Sequence, residues 1–104
     1  MPTIYKPKKT ERKRVDWYNA ERRKIYQSQR WRTLRLAKLS DSPLCEMCMK
    51  NGIVKPAIDV HHITSFMSTD DDIRRKALAY DYDNLMSLCK ECHQLIHNGQ
   101  GGMG

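Results

Sequence analysis

Four cysteines in two C-x2-C pairs, Cys45 with Cys48 and Cys89 with Cys92, constrain this chain more than any other feature. Separated by 40 residues, the pairs have the spacing of two zinc knuckles that close on one tetrahedral site, rather than that of a secreted disulfide framework. A four-thiolate site has no open position for a substrate, so its expected role is structural. The rest of the chain needs such a staple. With 104 residues, 39% of them hydrophobic, and a mean hydropathy of -0.77, it has material for one small domain with a poor core. The basic N-terminus is not followed by an apolar h-region, and no run approaches membrane-spanning length. We therefore expect a reducing, cytoplasmic setting and no membrane partner.

All four histidines fall in two segments, 59–63 and 84–97. The apolar run before His61 and His62 predicts a short strand over 58–61, in which neighbouring side chains point to opposite faces, so the two histidines can do different work. Residues 85–88 predict a second short strand, and a helix follows from about 91 to 98. On that helix His93 and His97 are i and i+4 and share one side. His61 can join them to complete a facial metal set, leaving positions for water and a phosphate oxygen. His62 is then free to act as a general base, because an unligated imidazole titrates near neutral pH. This is the layout of a metal-dependent nuclease.

The net charge of +7 is unevenly distributed: residues 1–38 hold 13 Lys/Arg against 3 Asp/Glu, whereas the remainder is net -3. Such a basic half suits a polyanionic partner, and it lacks the broad apolar helical face that would sink into lipid. Residues 1–15, with Lys6, Lys8, Lys9, Arg12, Lys13, Arg14 and two prolines, read as a disordered arm, either one that contacts phosphates or a solubilising tail. Residues 16–39 predict two helical pieces with Ser28 as the N-cap of the second. Trp31 and Leu34 are expected in the core, and Arg30, Arg32, Arg35 and Lys38 are candidate DNA contacts. Residues 40–43 end the helix, and Asn51-Gly52 marks a turn. Residues 64–83 read as an insertion with a short helix from Ser68 to Ala79. Its Asp70-Asp71-Asp72 run needs no magnesium ion, since acidic residues match a helix N-terminus. Residues 99–104 read as a flexible tail.

From about Tyr26 to His97 the chain resembles the HNH, or ββα-metal, endonucleases, and in particular the small phage-encoded group with zinc knuckles around the motif. The resemblance rests on Tyr26-x-Ser28-x2-Trp31-Arg32, Val60-His61-His62-Ile63, Asn84-Leu85, Leu88-Cys89-x2-Cys92-His93 and His97. It implies a small α+β fold in which a ββα-metal core, residues 16–98 with its N-terminal helices, is stapled by a four-cysteine zinc site and extended by the basic helical segment. It also implies hydrolysis of DNA phosphodiester bonds, with His62 as general base, Asn84 fixing the loop and base geometry, and His93 as a metal ligand. His61 stands where many relatives carry Asp. That departure is similar to the colicin-type nucleases, supports His97 as third ligand, and leaves Mg2+, Mn2+, Ni2+ or Zn2+ as the catalytic ion, since imidazole-rich sites favour transition metals over magnesium. The implied setting is a bacterial host cell, and the implied role is either genome packaging with a phage terminase as partner or host-directed DNA degradation. The competing reading is a non-catalytic zinc-knuckle module that docks on nucleic acid. His62 discriminates, because a pure scaffold has no need of an unligated histidine there. A protein-protein adaptor would call for exposed apolar surface in the basic half, where the arginines lie instead.

Overall fold

A single hydroxyl divides the basic half into two helices. The computed structural model describes residues 9–99, with side chains from 15 to 97, and its first helices are α1 (Lys9–Tyr26) and α2 (Gln29–Asp41). Between them Ser28 is extended, with its Oγ accepting from Trp31 N at 3.1 Å and donating to Ile25 O at 2.6 Å. It therefore stops one helix and starts the next, as expected of an N-cap. The start of α1 differs from the expected boundary at Asp16: the backbone is already helical from Lys9. Straight-chain Lys, Arg and Glu are good helix formers even where there is nothing to bury, and here that preference prevails over the disorder read from composition. The remainder of the proposed arm, residues 1–8, and residues 100–104 of the proposed tail lie outside the described residues. Among the described residues no helix is long and apolar enough to cross a membrane.

A short helix, α3 (Glu46–Lys50), begins at the first knuckle, and Gly52 turns the chain back with φ of 75°, a left-handed conformation that suits glycine. The returning segment is tied to the knuckle by Cys45 N–H donating to Lys55 O (2.7 Å) and Ala57 N–H donating to Pro43 O (2.8 Å). It leads into β1 (Asp59–His62), which pairs antiparallel with β2 (Leu85–Leu88) in the register Asp59↔Leu88, His61↔Met86, His62↔Leu85. Residues alternate between faces with period two. Val60 and His62 are buried, whereas Asp59 and His61 are half-buried on the other face, against which α5 (Lys90–Gly99) packs.

Three small clusters replace a single large core. Trp31 joins Val60 and Leu85; Ile25 joins Phe66 and Ala79; Cys45, Cys48 and Cys89 surround Leu88. The segment between the strands departs from the expected helix over 68–79. It forms a 3-10 turn (Phe66–Ser68) and then α4 (Asp72–Ala79), capped by Asp71 rather than Ser68. Asp72 pairs with Arg75 and Lys76 within that helix, so capping and ion pairs account for Asp71 and Asp72 of the acidic run. Arg75 is itself buried, with its guanidinium 4.8 Å from the Trp17 ring and Nη1 3.7 Å from Glu21, and it fastens α4 to α1.

Candidate active site

The two knuckles bring all four cysteines together, with their sulfurs within 4.8 Å of one another. Cys48 Sγ lies 3.6 Å from Cys92 Sγ and 3.9 Å from Cys89 Sγ. A tetrahedron with metal–sulfur bonds of ~2.3 Å has sulfur–sulfur edges of about 3.8 Å, so the spacing fits zinc. The thiols are free of disulfides. Burial pushes the Cys45 thiol up, but N–H groups of Cys89 and Cys48 donate to it and bring it down to about 6. Crowded thiols with one poised to ionise are the state from which a metal displaces the remaining protons.

A second convergence lies on the outward face of β1. The rings of His61, His93 and His97 lie with centroids 5.4, 6.4 and 5.0 Å apart, so the fold brings the three candidate ligands to one place. Asp59 joins them, with Oδ2 3.1 Å from His93 Nδ1. Because a carboxylate accepts, Nδ1–H is the donor and Nε2 is left as the ligand atom, an arrangement that fixes both tautomer and ring orientation. His61 is held below its ordinary pKa, first by burial and then by the neighbouring imidazoles. The neutral ring is the form that binds a metal. Asp59 was not among the residues expected from sequence, although it lies two positions before His61 and so on the same face of the strand.

His62 points the other way, into the protein. Its ring is stacked on Trp31 (centroids 4.7 Å, 27° between planes) and meets the edge of Phe66 at 4.8 Å. Nε2 lies 3.0 Å from Ala79 O. A carbonyl can only accept, so Nε2 carries the hydrogen and Nδ1 keeps the lone pair. Burial lowers its pKa more than the Ala79 hydrogen bond raises it. Although 7% exposed, His62 lines the same cleft of about 430 Å³ as His61, His93 and His97. The strand alternation thus separates two neighbouring histidines by environment, as expected, while the cleft reunites them.

Asn84 explains how that geometry is kept. Its Oδ1 accepts from Thr64 N (2.8 Å), and its Nδ2 donates to Thr64 O (2.9 Å) and Leu78 O (3.0 Å). One buried amide thereby ties the end of β1 to the last turn of α4, next to the carbonyl that holds His62. The segment 64–83, read from sequence as an insertion, supplies three structural carbonyls to the site, those of Thr64, Leu78 and Ala79. No sequence signal marks them, since a backbone carbonyl belongs to every residue.

The four cationic candidates of α2 do not form one surface. Arg30 and Arg32 are exposed, with the Arg30 guanidinium 4.3 Å from the Tyr80 ring centroid. Arg35 donates to Ile58 O at 3.0 Å and so also supports the approach to β1. Lys38 is a correction: it is 7% exposed, with Nζ 3.3 Å from Glu46 Oε2 and 5.2 Å from the Tyr82 ring centroid. Glu46 accepts in turn from Ser87 N. The ammonium group is therefore spent on a buried network between α2, α3 and β2 and is not available to DNA. Cleft residues that sequence reasoning missed come from α1, namely Tyr18, Arg22 and Tyr26. Their i, i+4, i+8 spacing was visible, but it did not show which way that face turned.

The model of the HNH endonuclease family matches residues 45–99. A solved structure, the HNH endonuclease of the deep-sea thermophilic bacteriophage GVE2 with manganese ion, is similar over 93% of this chain and 98% of that one, with a TM-score of 0.74 and 31% identity. No match was found among curated proteins.

Proposed function

The chain belongs to the HNH endonuclease family, and on that premise we propose that it hydrolyses DNA phosphodiester bonds, with His62 as general base and a divalent ion at His61, His93 and His97. The observation that carries this reading is the single cleft in which a buried, tautomer-fixed histidine stands beside three convergent imidazoles. When bound, a divalent ion supplies Lewis-acid stabilisation of the charge that builds on phosphate oxygens. His62 Nδ1 takes the proton from the attacking water, and Ala79 O stabilises the imidazolium that results. Trp31 and Phe66 hold the ring plane, and Asn84 holds the loop that carries Ala79 O. Asp59 keeps His93 in the ligating tautomer. The all-imidazole set favours manganese, nickel or zinc over magnesium, and the GVE2 relative was crystallised with manganese ion. The four-cysteine cluster holds a structural zinc, and the exposed Arg30 and Arg32 contact DNA. The phage relative supports a phage or prophage origin; action inside the bacterial host and a role beside a terminase in genome packaging belong to the same proposal.

Incubation of the purified protein with plasmid DNA across Mg2+, Mn2+, Ni2+ and Zn2+ tests the proposal. His62→Ala should lower cleavage by about 10²- to 10⁴-fold while leaving DNA and metal binding in place, whereas His93→Ala should also weaken the catalytic metal. A wild-type protein that binds DNA but cuts it with none of the four ions would replace this reading with that of a non-catalytic binding module.

A further inference from the structure

The cleft is lined mainly by side chains that are neutral when the imidazoles are unprotonated: histidines, tyrosines, aliphatic and small residues. Among the described residues Arg22, from α1, is the one lining side chain with a permanent charge. Its helical neighbours at i±3 and i±4 are Tyr18, Asn19, Ile25 and Tyr26, none of them acidic, and no ion pair to Arg22 is formed among the described side chains. It is exposed, and its guanidinium lies 5.5 Å from the Tyr26 ring centroid. The same ring also neighbours His62, with centroids 6.1 Å apart. Tyr26 therefore touches both a guanidinium that has no ion-pair partner among the described side chains and the proposed base.

Resting on the nuclease reading, we infer that Arg22 is a catalytic residue that binds the phosphoryl oxygens of the scissile diester. A guanidinium presents parallel N–H donors matched to two such oxygens, and it keeps its charge at any working pH. Negative charge on those oxygens grows as water adds to phosphorus, so a cation placed there stabilises the transition state more than the bound substrate. Tyr26 keeps the guanidinium over the cleft by a cation–π contact, and the tie between Arg75 and Glu21 keeps α1 against the rest of the domain. The N-terminal helix is then a wall of the catalytic site as well as a DNA-binding extension.

The test uses supercoiled plasmid and bis(p-nitrophenyl) phosphate, a diester too small to reach α2 and the cleft together. Arg22→Gln should lower kcat on both substrates by about 10²-fold, as removal of one transition-state donor does. Arg22→Lys should recover part of the loss, and the melting temperature should stay unchanged. Arg23→Gln, at the next position of α1 and outside the cleft, should leave turnover of both substrates unchanged. If Arg22→Gln weakens plasmid cleavage through KM only and leaves turnover of the small diester intact, the contact lies away from the scissile phosphate and the inference is wrong. A fall in melting temperature without recovery by lysine would also overturn it, in favour of a packing role. A wild-type protein inert on both substrates would instead overturn the nuclease reading on which the inference rests.

Discussion

Replacing Asn84 with alanine removes three hydrogen bonds at once: one accepted from Thr64 N and two donated to Thr64 O and Leu78 O. Each is worth about 1 kcal/mol net, so a loss of roughly 3 kcal/mol is expected. For a domain of this size about 1 kcal/mol moves the melting temperature by roughly 4–8 °C, which places the variant roughly 12–24 °C below the wild type. Circular dichroism melts at fixed zinc concentration measure this, since bound metal raises the apparent stability by mass action. Asn84→Asp sharpens the argument. It keeps the shape and the acceptor facing Thr64 N, but turns a carboxylate oxygen toward two carbonyls, and at neutral pH it should be no better than alanine. Cleavage assayed below both melting points should also fall, because the loop that presents Ala79 O to His62 is no longer held. A melting temperature within about 2 °C of wild type for the alanine variant would refute the account, as three hydrogen bonds of about 1 kcal/mol each require a larger shift.

Cys48→Ser should reduce bound zinc, about one equivalent by elemental analysis in the wild type, and unfold the domain cooperatively; full zinc and intact melting would contradict the staple. Burial sets the His62 pKa below its ordinary value of 6.5, so the acid limb of kcat/KM should fall below pH 6.5. Stability linked to the neutral ring should be complete above 6.5 and lost as pH drops through the folded pKa, and an acid limb above 6.5 would count against His62 as the base. Lys38→Ala should cost about 1–2 kcal/mol of stability by leaving Glu46 without its partner, yet leave the salt dependence of DNA binding unchanged. Arg32→Ala should do the reverse, reducing the slope of log K against log salt by roughly 0.9; equal slopes for wild type and Arg32→Ala would remove that residue from the interface.

What could be read from the sequence is what depends on local spacing. The knuckles, the opposite faces of His61 and His62, the shared side of His93 and His97, and Ser28 as a cap all follow from period and chemistry, and the structure has them. What was not legible depends on tertiary placement. Lys38 looks like its exposed neighbours Arg30 and Arg32 until α3 brings Glu46 against it. Residues 64–83 carry no motif, yet their carbonyls hold His62 and Asn84. Arg22 sits in a run of cations, and only the docking of α1 distinguishes it from Arg23 and Lys24.

His61 and His62 are chemically identical side chains, and nothing intrinsic to either says which is ligand and which is base. Their assignment is written in the pairing of β1 with β2, because a slip of one residue would exchange the two faces of the strand. Both strands are anchored to the cysteine cluster: β2 runs directly from Leu88 into Cys89, while the approach to β1 is bonded to the first knuckle at Lys55 and Ala57. Ile58 N–H then donates across to Leu88 O at 3.0 Å. By joining the knuckles, the thiolate site clamps the two strands at one relative offset, and so preserves the information that makes one histidine different from the next.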